Sequence, residues 1–130
     1  MTTDLSDLKF TKTHEWLRLE GEEGVVGITQ HAQEEMSDVV FVELPKPGRG
    51  FLQGEEVAVV ESVKAAFSIY APVSGTVTQV NESLVKDPGR INRSPYEEGW
   101  IFKFKLKNAA EAGNLMDLER YDKWAKGGGH

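Results

Sequence analysis

The chain has 130 residues, with 21 acidic against 15 basic for a net charge of -6, three histidines and no cysteine. That length suits one domain burying roughly two-thirds of the surface its unfolded chain would expose, and the charge repels nucleic-acid phosphates and anionic membranes alike. Without cysteine there are no disulfides, thiolate nucleophiles or cysteine-based metal sites, and no apolar run approaches the roughly 20 residues of a membrane span.

The start, "MTTDLSDLKF", carries Asp4 and Asp7, no arginine and no apolar stretch, unlike a transit peptide or secretory signal. The expectation is a cytoplasmic protein beginning at its own methionine. "HEWLRLEGEEGVVGIT" sets Trp16, Leu17, Leu19, Val25, Val26 and Ile28 on either side of "EGEEG" and predicts a hairpin with an acidic, glycine-bounded loop. Thr29 then caps a short helix over "QHAQEEMSD". "VVFVELPKPGRG" reads as a strand ended by prolines and glycines. "GEEVAVVES" and "AAFSIYAPVSGTVTQVN" follow as two strands and a continuation, with "VK" at the turn between them.

Beyond Asn81, "ESLVKDPGRINRSPYEEGW" holds two prolines and two glycines among polar residues, and predicts a long irregular surface loop. "WIFKFKLK" alternates, so Phe102, Phe104 and Leu106 share one strand face and Lys103, Lys105 and Lys107 the other. The lysines suggest an edge strand. "NAAEAGNLMDLERYDKWAKGGG" predicts a helix over about 109–126, packed on the sheets as a lid. Asn108 with Glu111 resembles a capping box, Asn114 with Asp117 offers a second start, and Leu115, Leu118, Tyr121 and Trp124 repeat at helical spacing. The terminal glycines before His130 read as a frayed end. The whole is a single domain, residues 1–130, mainly β, with its core over about 10–107.

No known catalytic spacing appears. His14, His31 and His130 are far apart and form no metal motif, and there is no nucleophile elbow, P-loop or dinucleotide fingerprint. The orderly segment "VVESVKAAFSIYAPVSG" nevertheless presents one lysine, Lys64, at a hairpin tip. A Schiff-base role would need that lysine desolvated, and a polar tip does not supply this. An ordinary turn lysine is the other reading that the residues alone allow.

Resemblance separates them. "GEEVAVVESVKAAFSIYAPVSGTVTQVN" is similar to the lipoate-attachment segment of the glycine cleavage system H-protein family, with Lys64 at the lipoyl-bearing position. "FTKTHEW", "VGITQHAQEEMSDVVFVELP" and "INRSPYEEGWIFKFK" look like further family blocks in family order, so the likeness runs from about Phe10 to Lys105. It implies a barrel-sandwich hybrid of the lipoyl/biotinyl-carrier type: two antiparallel sheets, a short internal helix and a C-terminal helix. It also implies a carrier, not an enzyme, with lipoate on Lys64 as its covalent cofactor.

By that resemblance the arm is reductively aminomethylated by glycine decarboxylase (P-protein), serves aminomethyltransferase (T-protein), and is reoxidised by dihydrolipoamide dehydrogenase (L-protein). A lipoate ligase or lipoyl transferase loads it. Neither nucleic acid nor membrane is a partner, and the setting is the bacterial cytoplasm, or the mitochondrial matrix if the chain is a processed form. Thr13, His14 and Glu15 match the block lining a groove for the loaded arm, where Glu15 would hold a protonated amine; the alternative is a strand-start carboxylate in water. Glu61 matches a position of ligase recognition, with a solvated strand carboxylate as its alternative. Gly75 fits the family glycine where the strand turns. Phe67 and Ser68 depart from the family's small residue and aspartate.

Rival carriers fit less well. A lipoyl domain of a 2-oxoacid dehydrogenase usually has aspartate where this chain has Val63, together with Pro/Ala-rich linkers absent here. A biotin carrier flanks its lysine with methionines. An H-like relay protein that hands lipoyl groups to other complexes needs the same lysine and stays open as the alternative.

Overall fold

The computed structural model describes residues 4–127; of the end read above as frayed, Gly128, Gly129 and His130 lie outside the described residues, as do residues 1–3. In chain order the strands are β1 (Lys9–Phe10), β2 (Glu15–Glu20), β3 (Glu23–Ile28), β4 (Val39–Glu43), β5 (Gly50–Phe51), β6 (Glu56–Ser62), β7 (Ala66–Tyr70), β8 (Gly75–Val80) and β9 (Phe102–Leu106). The α-helices are α1 (Gln30–Met36), α2 (Ser83–Lys86), α3 (Arg90–Arg93) and α4 (Leu118–Lys126).

All strand pairs are antiparallel and form two sheets: six strands ordered β1-β2-β3-β9-β8-β5, and three ordered β4-β6-β7. Hydrophobic alternation turns one face of each sheet inward. Val26, Ile28 and Val77 from the larger sheet and Val42, Val60 and Ile69 from the smaller share one core. Phe51, Phe102 and Phe104 meet there edge-to-face or tilted, with centroids 5.4–6.0 Å apart. A second apolar cluster, Leu8, Phe10, Trp16, Val25 and Tyr121, forms on the opposite face of the larger sheet beneath α4. The expected mainly β architecture with an internal and a C-terminal helix is thus present. The β2–β3 hairpin closes through Gly21-Glu22, with Gly21 at φ 66 as a two-residue hairpin turn requires.

Four expectations change. First, β9 is not an edge strand but lies between β3 and β8. Its alternating lysines report one outward face, and face polarity carries no information about how many neighbours a strand has. Second, the stretch after Asn81 is not irregular throughout. It holds α2 and α3, which bury Leu84 and Ile91, while the buried Asn81 side-chain amide donates to the Glu98 and Trp100 carbonyls, both at 2.8 Å.

Third, the C-terminal helix does not begin near 109. Ala109–Asn114 is a 3₁₀ segment, and α4 starts only at Leu118, capped by Asp117 through a 2.9 Å bond from the Arg120 N–H. The break arises because Met116 pairs with Phe10 at the edge of β1, through bonds of 2.8 and 2.9 Å. Glu111 closes no capping box; its carboxylate accepts from Ser74 N–H (2.7 Å) and Ser74 Oγ–H (2.9 Å). Fourth, Gly75 is not needed for a turn. A Cβ there would lie 2.4 Å from both the Lys105 carbonyl oxygen and Phe104 Cδ2, so close approach of β9 demands glycine.

Candidate functional site

The β6–β7 hairpin presents Lys64. The pairs Val60↔Phe67 and Glu61↔Ala66 bring the strands together, and Ser62 N–H donates to the Ala65 carbonyl at 2.9 Å to close the turn. Ser62 Oγ accepts from the backbone N–H groups of Lys64 (3.1 Å) and Ala65 (3.3 Å). Val63 N–H donates to the Asp38 carbonyl at 3.0 Å, bracing the tip against the segment after α1. The base is therefore tied down at several points while Lys64, Ala65 and Ala66 are exposed. Lys64 Nζ donates to the Glu35 carbonyl oxygen at 3.1 Å, in the last turn of α1, where the helix end favours a cation.

An amide-linked group fits this lysine. Its amine is reachable, its neighbours are small, and amide formation leaves one N–H able to keep a carbonyl partner. Glu61 lies on the exposed outer face, beside Phe41 on β4 and Ala66 on β7. Of the two departures from the family pattern, Phe67 is half-buried and packs against the core, whereas Ser68 donates its hydroxyl to Glu56 Oε2 at 2.7 Å.

Thr13, His14 and Glu15 come together next to β7, but differently from a solvated strand start. Thr13 is exposed, whereas the Glu15 side chain is completely buried. Its Oε1 accepts from the hydroxyls of Thr11 and Thr13, both at 2.5 Å, and its Oε2 accepts from Tyr70 N–H at 3.1 Å. Burial pushes the Glu15 carboxyl above its ordinary range, and the bonds from Thr11, Thr13 and Tyr70 oppose that shift only in part. Thr11, Thr13, Glu15, Gln53, Tyr70 and Leu115 line an open groove of about 460 Å³. A smaller pocket of about 80 Å³, bounded by His14, Glu35, Phe67 and Ser68, sits between that groove and the Lys64 tip, with Thr13 on the wall of both.

The groove lies at the end of β7 away from the Lys64 tip. From Ala66 beside the tip to Tyr70 is four strand steps, roughly 14 Å at about 3.4 Å per residue.

His14 is buried rather than groove-facing alone. Its Nδ1 lies 2.6 Å from Tyr121 Oη, and its ring stacks on His31 at 4.4 Å. His31 pairs with Glu35 at 3.1 Å on the surface of α1. Burial raises the Tyr121 phenol to about 12, so it keeps its proton at neutral pH. Residue patterns in the sequence did not reveal Thr11, Tyr70 or Tyr121 as parts of this site. Thr11 was within reach, because a hydroxyl four residues before a strand-start carboxylate can fold back on it; nothing local points to Tyr121. Among the described residues no cluster of three His, Asp or Glu side chains is placed to hold a metal ion, and no helix is long and apolar enough to cross a membrane.

Comparison with known proteins agrees with this geometry. The family profile described as glycine cleavage H-protein matches residues 8–127. The chain is 52% identical over 123 residues to the glycine cleavage system H protein of Symbiobacterium thermophilum, covering 95% of this chain and 96% of that one. It is 49% identical over 122 residues to the mitochondrial glycine cleavage system H protein 2 of Arabidopsis thaliana, covering 94% and 78%. The crystal structure of a glycine cleavage system H protein from Mycobacterium marinum superposes with a TM-score of 0.86 at 33% identity, covering 93% of this chain and 98% of that one.

Proposed function

This chain belongs to the glycine cleavage H-protein family, a family of lipoyl carriers, and from that premise we propose that it is the lipoyl-carrying shuttle of the glycine cleavage system, modified on Lys64. Glycine decarboxylase, aminomethyltransferase and dihydrolipoamide dehydrogenase are its successive partners. The observation that carries the reading is a single exposed lysine on a hairpin tip whose base is pinned by Ser62 and Asp38, on a hairpin whose second strand ends against a buried carboxylate.

When bound, lipoate supplies a dithiolane that can accept and release a one-carbon unit and be reoxidised. Everything else falls to the chain. The hairpin keeps the anchor rigid, and Ala65 and Ala66 leave the tip uncluttered. Glu15, with Thr13 beside it, offers a negative charge from the buried wall of the groove, and so holds a protonated amine delivered there along β7. A cation so held favours the ionised carboxylate and is kept from solvent.

The tip also suits the enzyme that modifies it. A bulge in β4 brings Val40 and Phe41 outward together, and with Val63 they leave apolar surface beside Lys64, bordered by the acidic side chains of Glu35, Asp38 and Glu61. A lipoate ligase or lipoyl transferase must approach Nζ to bonding distance, so it meets this face, and Glu61 is our recognition residue. A cytoplasmic setting accords with the bacterial relatives.

Intact-mass analysis of protein produced with lipoate tests the anchor. The parent should gain one lipoyl-sized increment and Lys64→Arg none; an unmodified parent overturns the reading. Incubation of the lipoylated protein with glycine decarboxylase, glycine and labelled bicarbonate should then exchange label into glycine, whereas a lipoyl relay protein would not support exchange.

A further inference from the structure

A buried polar chain ties the C-terminal helix to the turn that builds the docking site. Thr29 caps α1 by accepting Ala32 N–H on Oγ1 at 3.2 Å, and its hydroxyl lies 2.8 Å from Tyr121 Oη. Tyr121 Oη in turn lies 2.6 Å from His14 Nδ1. Thr29 Oγ1 can accept a second bond besides the one from Ala32, so the chain can run in either direction, and in both the Tyr121 hydroxyl bridges Thr29 and His14.

The residue at the end of this chain is strained. His14 sits at φ 70, a left-handed conformation that a non-glycine residue keeps only where its surroundings over-determine it. Its N–H donates to the Thr11 carbonyl at 3.2 Å, and its own carbonyl accepts Thr29 N–H at 3.0 Å. This tight turn is what folds the Thr11 and Thr13 hydroxyls onto Glu15 Oε1. The Tyr121 ring packs separately, stacked on Phe10 with centroids 4.8 Å apart. The hydroxyl therefore has a job distinct from that of the ring.

We infer that Tyr121 is a positioning residue for arm docking: from 107 residues away its hydroxyl holds the His14 ring, locks the left-handed turn, and so keeps Thr11 and Thr13 on Glu15. The inference rests on the proposed docking role of Glu15 and adds that the C-terminal helix sets that carboxylate's surroundings. An arm docked on a loosened turn would lose its shielding although the lysine and the groove walls are intact.

Tyr121→Phe keeps the ring stack and deletes only the hydroxyl. Leu118→Ala, which trims an apolar contact at the start of α4 and leaves every member of the Thr29–Tyr121–His14 chain in place, serves as the control. In the unmodified proteins, carbon-13 titration of the Glu15 carboxyl should shift in Tyr121→Phe, as its Thr11 and Thr13 partners loosen, and stay in place in Leu118→Ala. An unmoved titration in Tyr121→Phe, or an equal movement in Leu118→Ala, overturns the inference. In lipoylated protein charged by glycine decarboxylase, spontaneous ammonia release should be several-fold faster for Tyr121→Phe and for Glu15→Gln. Acceleration by Glu15→Gln alone removes the role of Tyr121 and leaves docking standing; acceleration by neither removes both.

Discussion

The Lys64 ammonium donates to the carbonyl oxygen of Glu35, 3.1 Å away at the end of α1, and both residues are exposed. Exposed charge contacts of this kind contribute about 0–1 kcal/mol. Acylation of Lys64 should therefore change the urea-unfolding free energy by less than about 1 kcal/mol, so a chemical modification that removes the charge leaves the carrier folded. A larger loss in lipoylated protein, compared with its unmodified form, would mean that the amine is a structural element of the hairpin.

Ser68 and Glu56 form a hydrogen bond at 2.7 Å on the outer face of the smaller sheet. Restoring the family's aspartate by Ser68→Asp would set two carboxylates against each other and cost about 0.2–1 kcal/mol, as for like charges across neighbouring strands. Glu56→Gln should recover most of that loss. A double-mutant cycle by urea unfolding gives the coupling, and a coupling of zero would show that the side chains at 56 and 68 do not interact.

Glu15 makes stability depend on pH in a definite direction. Burial raises its carboxyl above the ordinary value of 4.5, so the folded chain holds this proton more tightly than the unfolded chain does. Ionising it costs the fold progressively as pH rises from the ordinary value through the raised one, and the cost is constant above that. Unfolding free energies of the parent minus those of Glu15→Gln, measured from about pH 4 to about pH 8, should fall and then level. A difference that stays flat or rises would contradict the burial argument. Subtracting the variant cancels Asp4 and Asp87, whose carboxyls are lowered by Ser6 and Arg93 respectively and act in the opposite sense.

Gly75→Ala should destabilise the fold by about 1–3 kcal/mol, the usual range for overpacking. The new methyl would meet the Lys105 carbonyl and the Phe104 ring at 2.4 Å, and backbone cannot rotate away as a side chain can. The β8–β9 pairing should loosen, seen as faster amide exchange at Thr76 and Lys105, which pair across it, while lipoylation of Lys64 on the other sheet continues. Unchanged stability would show that β9 has room to shift.

The Lys64 hairpin was legible in the sequence because everything it needs is local. Two β-prone strands with inward Val60 and Ile69, a short turn at Ser62–Ala65 and small residues beside the lysine lie within about a dozen positions. The Thr29 cap and the glycine turn of the first hairpin were legible for the same reason. The position of β9 was not, since alternation marks which face is wet and says nothing of flanking strands. The short helices α2 and α3 escaped because four-residue helices show no periodicity, and what holds them is burial of Leu84 and Ile91 against distant strands.

By itself, then, the sequence determined the lysine-bearing hairpin, the mainly β character and the family blocks, all of which follow from spacing along the chain and from side-chain type. Only the tertiary structure decided the state of Glu15. Whether a strand-start carboxylate is solvated or buried depends on what covers it, and here the covering groups are Thr11 and Thr13 folded back by a left-handed His14, Tyr70 from another sheet, and Tyr121 from the far end of the chain through His14. Desolvation is a property of all those neighbours together, and no local pattern encodes it.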